Sequence, residues 1–226
     1  MPSRTFHADV VRVFDSNATL LCLLLVNFFV LELVDNERVG AFVSSVIAAL
    51  ALATAIYDSS TGRKLTRWQS FTIIAAVILS AVVLVTGSSD VLGSAYLLPA
   101  VFVALTLPIT LQRTLHHRAV TSETILGALC AYVLTGLVFA FVYIAISRFG
   151  ADFFSQPGPH QASEYLYFSF VVLTTLGFGD LSPSIGLPQA LVAVEALLGQ
   201  IFLVTMVARL VTLWVRQSGP ADAAGQ

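Results

Sequence analysis

The residues best suited to chemistry are seven in a row, Thr174-Thr175-Leu176-Gly177-Phe178-Gly179-Asp180. Two glycines alternate with bulkier residues, and glycine accepts the positive φ that lets successive backbone carbonyls point the same way. A stack of such carbonyls can replace the water around a cation. Enzyme chemistry has no comparable signal. The chain holds neither G-x-S-x-G nor H-E-x-x-H, and His116-His117 has no nearby carboxylate pair, so no catalytic site and no cofactor are expected.

The flanks must hold such a loop in place. Glu164 to Leu173 is an amphiphilic run of about ten residues, too short to cross a bilayer but suited to a re-entrant helix that ends at membrane depth. Irregular backbone just beyond it is tolerable there only if it lines a watery or ion-filled path. The C-terminal end of that helix carries partial negative charge, which favours a cation.

The rest of the chain supplies a membrane. It is 57% hydrophobic and 11% charged, with a mean hydropathy of +0.88, too apolar for a soluble domain. Apolar runs at Ala18 to Val34, Gly40 to Tyr57, Ser70 to Thr86, Val91 to Leu111, Ile125 to Ile146 and Leu187 to Val215 are each long enough to span. The expected fold is therefore all-α: six transmembrane helices, a re-entrant helix and a glycine-bearing loop. The first run has no small-residue cleavage site after it and reads as a retained span rather than a leader. Cys22 and Cys130 lie in apolar runs and imply neither disulfide nor metal site. A net charge of −2 gives no reason to expect a nucleic-acid partner.

Basic residues set the orientation. Arg4, Arg12, Arg63, Lys64, Arg67, Arg113, Arg118, Arg209 and Arg216 fall on one side, whereas the other has only Arg38 and Arg148 among seven acids. Both termini are thus expected in the cytoplasm of a cell whose plasma membrane the chain crosses, with the glycine loop on the outer side.

From Tyr165 onward the sequence resembles the pore module of potassium channels, and the whole chain resembles bacterial six-span members without an arginine-rich sensor. The resemblance rests on T-x-G-[YF]-G-D, matched by Thr175 to Asp180, and for the earlier spans only on number and topology. It implies a K+ selectivity filter built from Thr175, Leu176, Gly177, Phe178 and Gly179. The carbonyls of Thr175 to Phe178 and the Thr175 hydroxyl would hold the ion, Thr174 would support them, and Asp180 would cap the outer mouth. One motif per chain, where the ion path needs four, implies a homotetramer among membrane lipids. The corresponding division is 1–17, a cytoplasmic segment; 18–118, a four-helix region; 119–216, the pore region; and 217–226, a disordered cytoplasmic tail.

Departures from the family pattern carry their own expectations. Phe178 stands where tyrosine is usual, and Tyr167 and Phe168 where two tryptophans often stand. Phe168 and Phe178 are therefore expected to meet as an aromatic contact, while Tyr167 donates to Asp180. Gly199 aligns with the inner-helix hinge of the family, and close packing is an equal alternative. At about 100° per residue, a cavity-facing Gln200 puts Val207 and Val211 on the same face, as a hydrophobic constriction. Glu195 and Arg209 then face away by about 140° and 180°. Glu195 is expected to hydrogen-bond toward the pore helix or a neighbouring subunit, and Arg209 to snorkel to inner headgroups.

The fourth run has no charge from Val91 to Gln112, so weak or absent voltage dependence is expected. Its Pro99 and Pro108 are expected to kink or interrupt it. Asn27 is expected to make an interhelical hydrogen bond, Ser44, Ser45, Ala48 and Ala49 to give close helix contact, and His116, His117 and His160 to be solvated loop residues. A less selective cation channel and a solute carrier are the competing readings.

Overall fold

Among the residues that the computed structural model describes, every element is helical, apart from one isolated bridge between Phe154 and Pro183. It describes residues 4–34, 36–59, 89–116 and 121–218. In order the helices are α1 (Arg4–Leu33), α2 (Glu37–Ser59), α3 (Ser89–His116), α4 (Ser122–Arg148), α5 (Ala162–Leu173) and α6 (Leu187–Ser218). Four contain stretches long and apolar enough to cross a membrane: Glu37–Ala55, Gly93–Gln112, Glu123–Arg148 and Leu187–Val215. The apolar part of α1, Asn17–Leu33, is shorter, and α5 at 12 residues is too short to cross. The expected span Ser70 to Thr86 and the tail from residue 219 onward lie outside the described residues, as do His117, Arg63, Lys64, Arg67 and Arg118.

Helix α4 is the hub. It packs along α3 most extensively and also meets α1, α5 and α6, while α2 bridges α1 and α3. The core runs from Leu20, Leu24 and Leu31 of α1 through Tyr96 and Val103 of α3 to Leu134, Phe141 and Tyr143 of α4. It continues into Tyr165, Leu166 and Phe168 of α5. Small residues allow the close approach of α2, where Ala41, Ser44, Ser45, Ala48 and Ala49 are all buried.

Two expectations are corrected here, the first in part. Helix α3 runs without interruption through both Pro99 and Pro108, so neither proline breaks it. Each proline costs roughly 3 kcal/mol in an isolated helix, but α3 is clasped between α2 and α4, and that packing outweighs the loss. Among the described residues Asn27 makes no interhelical hydrogen bond: it is fully buried, and neither its Oδ1 nor its Nδ2 has a partner there.

The join between the first four helices and the region after them is polar. Arg148, last residue of α4, pairs with Glu37 at the start of α2 and donates to the His160 carbonyl at 3.0 Å. Tyr96 donates to the Glu37 carbonyl at 3.1 Å.

Candidate functional site

The glycine loop begins where α5 stops, and the way α5 stops is specific. Thr174 is the C-cap residue. The Leu176 N–H reaches back to Val171 O and the Thr175 N–H to Val172 O, both at 2.9 Å. This pair of reverse bonds is a Schellman closure, which requires a left-handed residue at Thr175. Thr175 adopts it, with φ 59°. Phe170 O accepts from the Thr174 amide at 3.0 Å and from its hydroxyl at 2.6 Å. Leu173 O accepts from the Tyr132 hydroxyl of α4 at 2.9 Å. The last four carbonyls of α5, which no helical bond could satisfy, are thereby all occupied.

Left-handed backbone then recurs at every second residue: Thr175 at 59°, Gly177 at 57° and Gly179 at 80°. Leu176 and Phe178 between them keep negative φ. This alternation rotates successive peptide planes so that their carbonyls can share one side. Glycine supplies two of the three left-handed positions at little steric cost; Thr175 supplies the third against it. Leu176 and Phe178 are 58% and 64% exposed, so the loop stands at the surface of the single chain.

Beyond the loop, the chain is tied to the segment ahead of α5. Ser155 N donates to Ser182 O at 2.9 Å and Ser184 N to Phe153 O at 2.8 Å. The Gln156 side chain donates to Asp180 O at 3.0 Å and accepts from Ser182 N at 3.2 Å. The Gln156 carbonyl in turn lies 3.1 Å from His160 Nε2, and His160 Nδ1 lies 2.9 Å from Glu164. His160 is therefore not the solvated loop residue expected; its side chain is 13% exposed. Glu164 also accepts from the Gln161 N–H at 2.9 Å, which caps α5 at its start.

The aromatic residues divide differently from expectation. Tyr167 donates to Asp180 Oδ2 at 2.9 Å, as expected, and its ring also stacks on Phe178, with centroids 6.3 Å apart and planes 3° from parallel. Phe168 does not join them. It is buried against Tyr143, Phe153 and Phe154, at centroid separations of 6.1, 6.1 and 5.1 Å. Adjacent residues on a helix are about 100° apart, so when Tyr167 faces the loop, Phe168 turns into the core.

Helix α6 presents two faces. Glu195 is fully buried between α4 and α5, where Tyr143 Oη lies 2.6 Å from Oε2 and Ser169 Oγ 2.5 Å from Oε1. One turn on, Gly199 abuts the end of α5: a Cβ there would lie 2.9 Å from both Leu173 O and Leu173 Cδ1. That contact is close packing, and α6 runs unbroken through it. Gln200, Val207 and Val211 are exposed on the opposite side, the two valines by 58% and 54%. Arg209, expected to snorkel to inner headgroups, also has a partner within the chain. Its guanidinium donates to Leu115 O in the last turn of α3, a carbonyl that the helix leaves without an internal donor.

Sequence reasoning missed Tyr143, Ser169, Tyr132, Gln156 and Arg148. Tyrosine inside an apolar span carried a signal, since a buried phenol needs a partner; Gln156 in its loop carried none.

Residues 127–216, from within α4 to near the end of α6, match the family described as "Ion channel" (Ion_trans_2). No curated protein matches the chain. No solved structure matches it either.

Proposed function

We propose, from the premise that residues 127–216 form an ion channel domain, that the chain conducts K+ passively through a filter formed by Thr175, Leu176, Gly177, Phe178 and Gly179. The observation that carries this reading is the alternation of left-handed backbone at Thr175, Gly177 and Gly179, directly beyond a helix too short to span. In such a row the carbonyls of Thr175 to Phe178 and the Thr175 hydroxyl take over the hydration shell of the ion. Thr174 closes the helix behind them. Asp180, held by Tyr167, marks the outer mouth.

Four copies of the loop are required around one path, so the working unit is a homotetramer in the plasma membrane, with both termini cytoplasmic. Support comes from α6: only 17% of its span is buried within the chain, against 61% for α4. Gln200, Val207 and Val211 would then line the inner cavity, the valines as a constriction that closes by dewetting. Gly199 serves first as a contact with Leu173, and any hinge there bends about that contact.

Purified protein reconstituted in a planar bilayer with K+ on one side and Na+ on the other tests the reading. The expected result is a reversal potential close to that of K+, with block by Ba2+. A reversal potential near zero would assign a less selective cation channel instead. Absence of any flux from folded, open tetramers would overturn channel function.

A further inference from the structure

Behind the loop, α4, α5 and α6 meet at the carboxyl group of Glu195. Ser169 Oγ on α5 lies 2.8 Å from Gly136 O on α4 and 2.5 Å from Glu195 Oε1 on α6. A serine hydroxyl has one proton. A carbonyl oxygen only accepts, and two oxygens 2.8 Å apart need a proton between them, so the serine proton belongs on the Gly136 side. Ser169 Oγ must then accept from Glu195. A carboxylate has nothing to donate; a carboxylic acid has one proton. On its other oxygen Glu195 accepts from Tyr143 Oη at 2.6 Å.

The surroundings agree with the count. Glu195 is fully buried, and the titratable group in direct contact with it is Tyr143 of α4. From α5 it meets Ser169, and among the described residues it forms no ion pair with Lys, Arg or His. An ionised carboxylate buried without a cation is costly, whereas a neutral acid fully paired is not.

We propose that Glu195 is held as a neutral carboxylic acid and is a positioning residue for the pore. Its proton completes a relay in which Tyr143 donates to Glu195, Glu195 to Ser169, and Ser169 to the Gly136 backbone. The relay fixes register as well as distance. Glu195 meets Ser169, and one turn further along both helices Gly199 meets Leu173. Together they set how α5 delivers its end, and hence Thr175, to the loop. Ionisation of Glu195 would turn the Ser169 hydroxyl away from Gly136 and release α5 from α4 while leaving the side chains in place. This role rests on the pore reading for its consequence, but the proton does not.

Infrared spectroscopy of the full chain in liposomes at about pH 8, where exposed carboxylates are ionised, reads the proton directly. The expected spectrum has a protonated-carboxyl C=O band that shifts in D2O and vanishes in Glu195→Gln. The same Gln variant supplies the second arm. Its amide nitrogen donates to Ser169 and its amide oxygen accepts from Tyr143, so thermal stability and K+ flux should match wild type. Glu195→Leu, which does neither, should lower the folded fraction or the flux by roughly tenfold. Absence of the band overturns the neutral acid whatever the fluxes show. A Gln variant as impaired as Leu overturns the relay. If no variant and no wild type conducts K+, the pore reading fails, while the band and the melting curves still decide the state of Glu195.

Discussion

Tyr167 performs two separable tasks with one side chain. Its ring stacks on Phe178 and its hydroxyl binds Asp180. Both partners are exposed in the single chain, so the hydrogen bond contributes modestly, about 0.5–1.5 kcal/mol. The stack contributes about as much. Tyr167→Phe keeps the stack and deletes the bond. The expected outcome is unchanged folding with an altered time course of current decay, because Asp180 loses its tether while Phe178 does not. Single-channel recordings after a step of K+ concentration check this; a decay superimposable on wild type would remove the hydroxyl from the account. Thr175 shows the limit of reading at this scale. Gly177 and Gly179 announce their left-handed backbone by residue type, whereas Thr175, branched at Cβ, is forced into it by the Schellman closure of α5. That conformation costs about 1–2 kcal/mol for an L-residue. No local sequence rule selects threonine there.

The junction of α5 and α6 depends on a missing atom. At Gly199 a Cβ would meet a backbone oxygen and a methyl carbon of Leu173 at 2.9 Å. Leu173 O is already bound by Tyr132, whose ring lies 5.7 Å from that of Phe202 on α6, so neither side can yield alone. Gly199→Ala should therefore destabilise the fold by about 1–3 kcal/mol through overpacking, even though alanine favours helix by nearly 1 kcal/mol. Thermal melting in detergent gives the sign: a hinge that merely needs flexibility predicts a more stable variant, and a packing contact a less stable one. Elements were legible in the sequence wherever apolar length decided them, as for α2, α3, α4 and α6. The helical continuity of α3 was not, because its two prolines speak for a break and only the clasp of α2 and α4 speaks against it. At the site, the side of α6 that bears Glu195 followed from helical periodicity, whereas the bond from Tyr167 to Asp180 followed from the resemblance to potassium-channel pores. The ties of Gln156, His160 and Arg148 did not. They join residues distant in sequence through loops that have no period to read.

At the scale of the whole molecule, the question is what the first helices can transmit to the loop. Their mechanical link exists: Arg148 ties the start of α2 to the segment that precedes α5, and His160 and Gln156 extend that tie to the carbonyl of Asp180. A force on α2 or α3 would therefore reach Asp180 at the end of the glycine loop. A transmembrane voltage has little to pull on, however. The stretch Gly93–Gln112 of α3 contains no charged residue. Each elementary charge carried across the whole field gains only about 2.3 kcal/mol per 100 mV, so steep gating needs several charges in each subunit. Glu195 cannot substitute, since a neutral acid locked between α4 and α5 moves no charge. Conductance should accordingly vary by less than about tenfold over 200 mV, a span in which even one full gating charge per subunit of a tetramer would supply well over 10 kcal/mol. Macroscopic currents recorded in symmetrical K+ across that range test it. A steep sigmoidal conductance curve would place gating charge in a part of the chain other than α3, and would turn the link through Arg148 from a passive brace into the path by which that charge acts.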